Sequence, residues 1–173
     1  MLRRPFLSFA ALVLGILLAS AGCGTEDQQP NQQAAASPPP KDFPVTLTAA
    51  NGKVTIPGRP ARIISLSPTS TESLFAIGAG RQVVAVDDQS DYPPTAPKTK
   101  LSGYTPNAEA IAGYRPDLVV LSGNENNIIG ALGKLGIPVL LHSAAKDLDG
   151  AYRQIEQLGL ATGHRRDAMG LVA

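Results

Sequence analysis

The chain has 173 residues, a formal charge of +1, one cysteine and no tryptophan. So even a charge balance leaves no basic footprint for nucleic acid, and a lone cysteine excludes an internal disulfide. Aromatic residues make up only 5% of the chain, so the core must be aliphatic, and the length suits one domain of ordinary size.

Residues 1–22 should stand apart from that domain. Arg3 and Arg4 give a positive start, Phe6 to Ala19 is almost wholly apolar, and the small residues Ser20, Ala21 and Gly22 precede Cys23. This is the layout of a secretory signal peptide. Small residues followed directly by a cysteine resemble a bacterial lipobox, with Ser20 standing where leucine is usual. The resemblance implies that the Cys23 thiol is diacylated and becomes the mature N-terminus. An uncleaved anchor helix and a plain signal peptide with an incidental cysteine are the other readings of the same residues. Arg3-Arg4 has a faint likeness to a twin-arginine export signal, but the general secretory route is the expectation. Residues 23–41 are rich in Gln, Pro, Ala and Ser. They have almost nothing to bury, which predicts a disordered tether behind the lipidated cysteine; Pro38 to Pro40 stiffen its end.

The folded domain is expected over residues 42–163. Val45, Leu47 and Ala49 alternate with Thr46 and Thr48, Asn51-Gly52 signals a tight turn, and Val54 and Ile56 return, which predicts a β-hairpin. Ile63, Ile64 and Leu66 form a short apolar run suited to a strand buried on both faces. Thr69 to Glu72 fits a capping box, with Leu74, Phe75 and Ile77 at helical spacing behind it and Gly78 and Gly80 at the helix end. Val83, Val84 and Val86 give a second strand, so this stretch is one βαβ unit.

The pattern then repeats. Pro106 suits the first turn of a helix behind Thr105 as cap, with an apolar face of Ala108, Ile111 and Ala112 and with Glu109 on the outer side. Leu118 to Leu121 is a third strand. Asn124 can cap a helix in which Ile128, Ile129, Leu132 and Leu135 recur, ended by Gly136. Ile137 to Leu141 is a fourth strand. Asp147 can cap a long helix with Leu148, Tyr152, Ile155 and Leu158 on one face; Gly163 breaks it, and residues 164–173 start another helix.

Alternating strands and helices predict an α/β fold, a Rossmann-like lobe with a mostly parallel sheet flanked by helices and preceded by the β-hairpin. In such sheets ligands sit outside the carboxyl ends of the strands. Those ends are Ser67-Pro68-Thr69, Asp87-Asp88-Gln89, Ser122-Gly123-Asn124 and His142-Ser143, expected along one edge with the loop Ser102 to Thr105.

The residues do not favour an enzyme. No serine sits in a Gly-x-Ser-x-Gly elbow. Gly78-Ala79-Gly80 follows a helix rather than a strand, so it is not a dinucleotide fingerprint. His142 and His164 are the two histidines, too few for a histidine-rich metal site.

The blocks RIISLSPTSTESLFAIGAG, VVAVDDQSDYPP, PNAEAIAGYRPDLVVLSG and LGIPVLLH, with VTLTAANGKVTIPGRPARIISL ahead of them, resemble the N-terminal lobe of the substrate-binding proteins of ABC importers for iron-siderophores, haem and cobalamin. The likeness covers Val45 to Ala173 in the family's order and spacing. It implies one lobe of a two-lobe receptor with a helical backbone joining the lobes, no catalysis and no cofactor. The ligand, a metal chelate, lies in the cleft and passes to a membrane permease. Residues 164–173 would be the start of the interlobe helix, the second lobe being absent from the sequence, so this chain would present half a cleft. By position, Ser67, Pro68, Thr69, Gln89, Tyr104 and Ser122 would face ligand, Tyr104 as a cleft aromatic. Glu109 would dock the permease. Cobalamin sites of the family are rich in tryptophan, so its absence favours a ferric siderophore, with cobalamin or haem as alternatives. The implied location is the outer face of the bacterial cytoplasmic membrane, held by the lipid on Cys23. A surface-anchored single-lobe interaction protein without transport is the other class of function.

Overall fold

A computed structural model describes residues 42–173. The signal peptide over 1–22, Cys23 and the tether that follows it lie outside the described residues.

The hairpin pairs β1 (Val45–Ala49) with β2 (Gly52–Ile56), in antiparallel register from Val45 opposite Ile56 to Ala49 opposite Gly52. Its two loop residues are Ala50 and Asn51, one position earlier than the Asn51-Gly52 expectation. Gly52 takes the positive φ of 93° that glycine tolerates best. Asn51 is thereby free for another task. Its amide donates to Val139 O (2.9 Å) and accepts from Leu141 N (3.1 Å), while Ala50 N donates to Leu141 O (3.1 Å). The loop is thus sewn to β6 (Val139–Leu141).

The main sheet has four parallel strands: β3 (Ile63–Leu66), β4 (Val83–Val86), β5 (Leu118–Leu121) and β6, in the order β4-β3-β5-β6. Side chains alternate across a strand, and that alternation divides the core in two. Ile63, Leu118, Val120 and Leu140 pack on one face with α1 (Pro68–Ala76), the C-terminal part of α4 (Leu148–Thr162), and Ala168 of α5 (Arg165–Leu171). Ile64, Leu66, Val119 and Leu121 pack on the other with α2 (Ala108–Gly113) and α3 (Ile128–Lys134). The near-continuous apolar strands follow from being covered on both sides. After β4 the chain runs through a long loop and returns beside it: Asp87 bridges Leu101, and Asp88 N donates to Leu101 O (2.7 Å).

Several helix boundaries differ from the sequence reading. Ser67, not Thr69, caps α1: its Oγ accepts from Ser70 N, and Pro68 occupies the first turn, where a missing N–H costs nothing. Asn107, not Thr105, caps α2, its Oδ1 accepting from Ala110 N (2.8 Å). Asn127, not Asn124, holds the N-cap position of α3, although Asn124 Oδ1 accepts from Ile129 N (3.0 Å) over a 3-10 turn at Glu125–Asn127 in which Asn126 takes a positive φ. β6 begins at Val139, two residues later than expected. Two apolar faces are shorter than the residue spacing predicts. Leu135 is exposed at the end of α3, and Leu148 and Tyr152 are exposed on α4, whose buried residues are Leu158, Gly159, Ala161 and Thr162. Asp147 caps that helix as expected, and Gly163, with φ 75°, ends it. Gly159 gives α5 its close approach, since a side chain there would collide with Ala168.

Candidate functional site

Strand order places a switch point between β3 and β5. From β3 the chain steps outward to β4, then crosses back to the other side of β3 for β5 and β6. The loops leaving β3 and β5 therefore part in opposite directions and open a crevice at their carboxyl ends, the favoured ligand position of open α/β sheets. Pro68 and Ser122, at those two strand ends, line two adjoining cavities.

The larger cavity, about 360 Å³, lies between the start of α1 and the N-terminal half of α4. Ser67, Thr69, Ser122 and Gln154 contribute its polar rim, buried His142 closes its back, and Pro68, Ile155 and Leu158 supply apolar lining. The smaller, about 100 Å³, lies on the β4 side and is lined by Pro68, Asp87, Gln89, Tyr104, Ser122 and Glu125 among others. All six residues expected at the ligand edge thus reach one cavity or the other. Tyr104 is 76% exposed, so its ring stands at the mouth rather than inside. Glu109 lies apart, exposed in the first turn of α2.

Polar groups are buried beneath the crevice. Thr71 Oγ1 donates to Ser65 Oγ (2.9 Å) and pairs with Ser90 Oγ (3.0 Å), tying α1 to β3 and to the loop after β4. Ser65 is fully buried on the face it shares with α1. His142 is likewise buried and packs behind the larger cavity. Gln157 Nε2 donates to Thr48 O (2.9 Å), which leaves its Oε1 to accept from His142 Nε2 (3.0 Å). That pairing assigns the ring proton to Nε2. Burial pushes the imidazole down to about 4, against the Gln157 hydrogen bond that acts the other way. His142 is therefore neutral at physiological pH.

Asp87 is the group that the sequence reading left among strand-end residues without a role. It is only 4% exposed, and its Oδ1 is buried without a hydrogen-bond partner. Burial pushes its carboxyl up from the ordinary value, polar groups of Ser90 pull it back, and the charge of Asp88 adds to the rise. Gly103 makes room for it: a Cβ there would stand 2.8 Å from Asp87 Oδ2 and 3.0 Å from Leu66 O. Glu125 was also missed. Its carboxylate lies over Gly123, and a side chain at Gly123 would collide with it. A carboxylate pair directly after a buried strand, as in Asp87-Asp88, was the available signal. Neither cavity has a Lys or Arg in its lining.

Comparison with known proteins gives the same picture. A family model described as periplasmic binding protein matches residues 63–173. An ABC transporter substrate-binding lipoprotein of Bacillus subtilis, YvrC, itself uncharacterised, is 34% identical over 170 residues, which is 95% of this chain and 53% of that protein. The crystal structure of the periplasmic vitamin B12 binding protein BtuF of Vibrio cholerae superposes with a TM-score of 0.59 at 32% identity, covering 66% of this chain and 46% of that one. An ABC-type Fe3+-hydroxamate transport protein from Saccharomonospora viridis gives a TM-score of 0.60 at 25% identity, covering 75% and 52%. The chain spans about half the length of the curated relatives it matches. With the sheet order, the crevice and the matched span in agreement, the chain belongs to the periplasmic binding protein family.

Proposed function

We propose that this chain is a solute-binding lobe of an ABC importer, capturing a metal chelate at the crevice between β3 and β5 and delivering it to a membrane permease. The observation that carries this reading is the position of Pro68 and Ser122. They stand at the topological switch point and line both cavities at once. The larger cavity falls within the range, about 300–1,000 Å³, of sites that hold small molecules, and its mix of hydroxyls with an aliphatic floor suits an organic chelate. Ser67, Pro68, Thr69 and Ser122 contact the body of the ligand. Gln89 and Tyr104 contact its far end. The chelate is a ferric siderophore of hydroxamate type, with a corrinoid or haem as the alternatives, the chemistries that the similar structures name.

The state of His142 supports binding over catalysis. His142 is held neutral behind the cavity and engaged by Gln157, and no hydroxyl nucleophile donates to it among the described residues. Glu109 docks the permease: it is exposed, on a short helix rigidly capped by Asn107, and away from the crevice. Cys23 carries the lipid that keeps the protein on the outer face of the cytoplasmic membrane.

Isothermal titration of the chain with ferrichrome, ferrioxamine B, ferric enterobactin and cyanocobalamin tests capture; saturable binding of any of them supports it, and binding of none overturns it. Glu109→Ala should leave that affinity unchanged and abolish co-isolation with the permease from detergent-solubilised membranes of the native cells. Undiminished co-isolation would remove Glu109 from the docking role.

A further inference from the structure

We propose that the smaller cavity selects an ammonium or primary carboxamide end group of the ligand, with Asp87 and Glu125 as its acceptors, so that the lobe favours chelates that carry such an end group over anionic ones. This inference rests on the capture reading above and specifies the chemistry of the same crevice.

The first ground is an unsatisfied acceptor. Asp87 is buried and lines the cavity beside Gly103, where a Cβ would stand 2.8 Å from its Oδ2, while its enclosed Oδ1 has no hydrogen-bond partner. A buried acceptor left unmade is costly, and such a group in a cleft is a candidate for a functional partner. Its raised proton affinity, caused by burial, agrees with a carboxylate lacking a counter-charge.

The second ground is the electrostatic balance. Two carboxylates, Asp87 and Glu125, line the small cavity, and no ammonium or guanidinium lines either cavity. The start of α1 supplies the one opposing field. A helix N-terminus carries roughly half a unit of positive charge, against a whole unit on a carboxylate. Pro68 also has no N–H to offer, and Ser67 Oγ already takes that of Ser70. The carboxylates dominate.

The third ground is size and access. A cavity of about 100 Å³ holds a few heavy atoms: a primary ammonium or a carboxamide, not the body of a chelate. Gly103 and Gly123 border the two carboxylates without side chains of their own, which keeps both acceptors clear of a Cβ. The neighbouring larger cavity, which shares Pro68 and Ser122, holds the rest.

Four probes test this by titration calorimetry on the whole chain: ferrioxamine B, a trihydroxamate with a free ammonium; cyanocobalamin, with peripheral primary carboxamides; ferrichrome, a neutral trihydroxamate whose amides lie within its peptide ring and which has neither end group; and ferric enterobactin, a strongly anionic catecholate. Ferrioxamine B or cyanocobalamin should bind more tightly than ferric enterobactin. Asp87→Asn should weaken the donor-bearing ligand by about tenfold, the loss of one charge-assisted hydrogen bond, and leave ferrichrome within about twofold. Glu125→Gln should act in the same direction and more weakly. Because Glu125 is exposed, that variant decides the matter should Asp87→Asn fail to fold. Preference for ferric enterobactin, or equal affinities for both variants and the parent, overturns the proposed selectivity while leaving capture intact. Binding of none of the four overturns capture, and this inference with it.

Discussion

The two ends of the sheet use polar residues in opposite ways. At the amino ends of the strands, charged groups bind the chain to itself. Asp117 accepts from Ala61 N (2.8 Å) and Arg62 N (2.9 Å), the Arg62 guanidinium donates to Tyr114 O and Arg115 O, and Arg59 donates to Thr162 O (3.1 Å) and meets His164. Gln82 donates to Pro60 O and Thr162 O, and its Oε1 is buried without a hydrogen-bond partner. At the carboxyl ends the polar groups are hydroxyls, a neutral imidazole and acids without basic partners, and they border open space. Backbone closure exhausts one end. At the other, stability is given up to leave acceptors and a crevice, as strained or unsatisfied groups at functional sites generally require.

Acid should separate the two ends most sharply. His142 has an ordinary value of 6.5 when unfolded and about 4 when folded. Below 6.5 the unfolded chain takes up a proton that the native chain refuses, so stability falls as pH drops from about 6.5 to about 4. The full loss is on the order of 3 kcal/mol. Urea unfolding at pH 7.5 and 4.5 should show this dependence in the parent and a much flatter one in His142→Gln; equal slopes would mean that His142 is not the acid-labile point. Gly103→Ala comes next. Its Cβ would stand 2.8 Å from Asp87 Oδ2 and 3.0 Å from Leu66 O, so it should cost about 1–3 kcal/mol and weaken chelate binding together with stability.

Asp117→Ala is the matching probe of the closed end. It should lower stability by about 1–2 kcal/mol, two charge-assisted hydrogen bonds lost at an exposed site, with chelate affinity unchanged. A binding defect there would break the division between the ends. The smallest effect, and one of opposite sign, belongs to Asp87→Asn. A carboxyl raised by burial is destabilising when ionised, so near neutral pH the variant should unfold at higher urea than the parent. The gap should close as pH falls through the raised pKa.

Much of this architecture is written locally. The apolar runs at β3, β4 and β5 and the glycines at 78, 136 and 163 mark strands and helix ends without reference to anything distant. Caps were harder, because Ser67 and Thr69, or Thr105 and Asn107, are equally able to cap. At α1 the choice goes to the residue that directly follows β3, and at α2 to the residue after Pro106. The face of α4 was misread for a related reason. Leu148 and Tyr152 keep helical spacing with Leu158, but only the last turns of the helix reach the sheet. Within the crevice, Ser67, Pro68 and Ser122 were legible as strand ends. Asp87's burial was not, since it depends on a loop returning from Leu101 to cover it, a contact that no local pattern records.

The Ala50-Asn51 loop has a consequence for solubility. A parallel sheet of four strands ends in two rows of unpaired amides and carbonyls, each a template for a strand from another copy. At β6 that row is occupied by the Asn51 amide and Ala50 N, which mimic a fifth strand without continuing as one. At β4, four residues long, Leu101 and the Thr99 hydroxyl take up Asp88 N and Val86 O. Both borders of the sheet are thus blunted by loops of the same chain, so β-aggregation between copies has little to start from at either border.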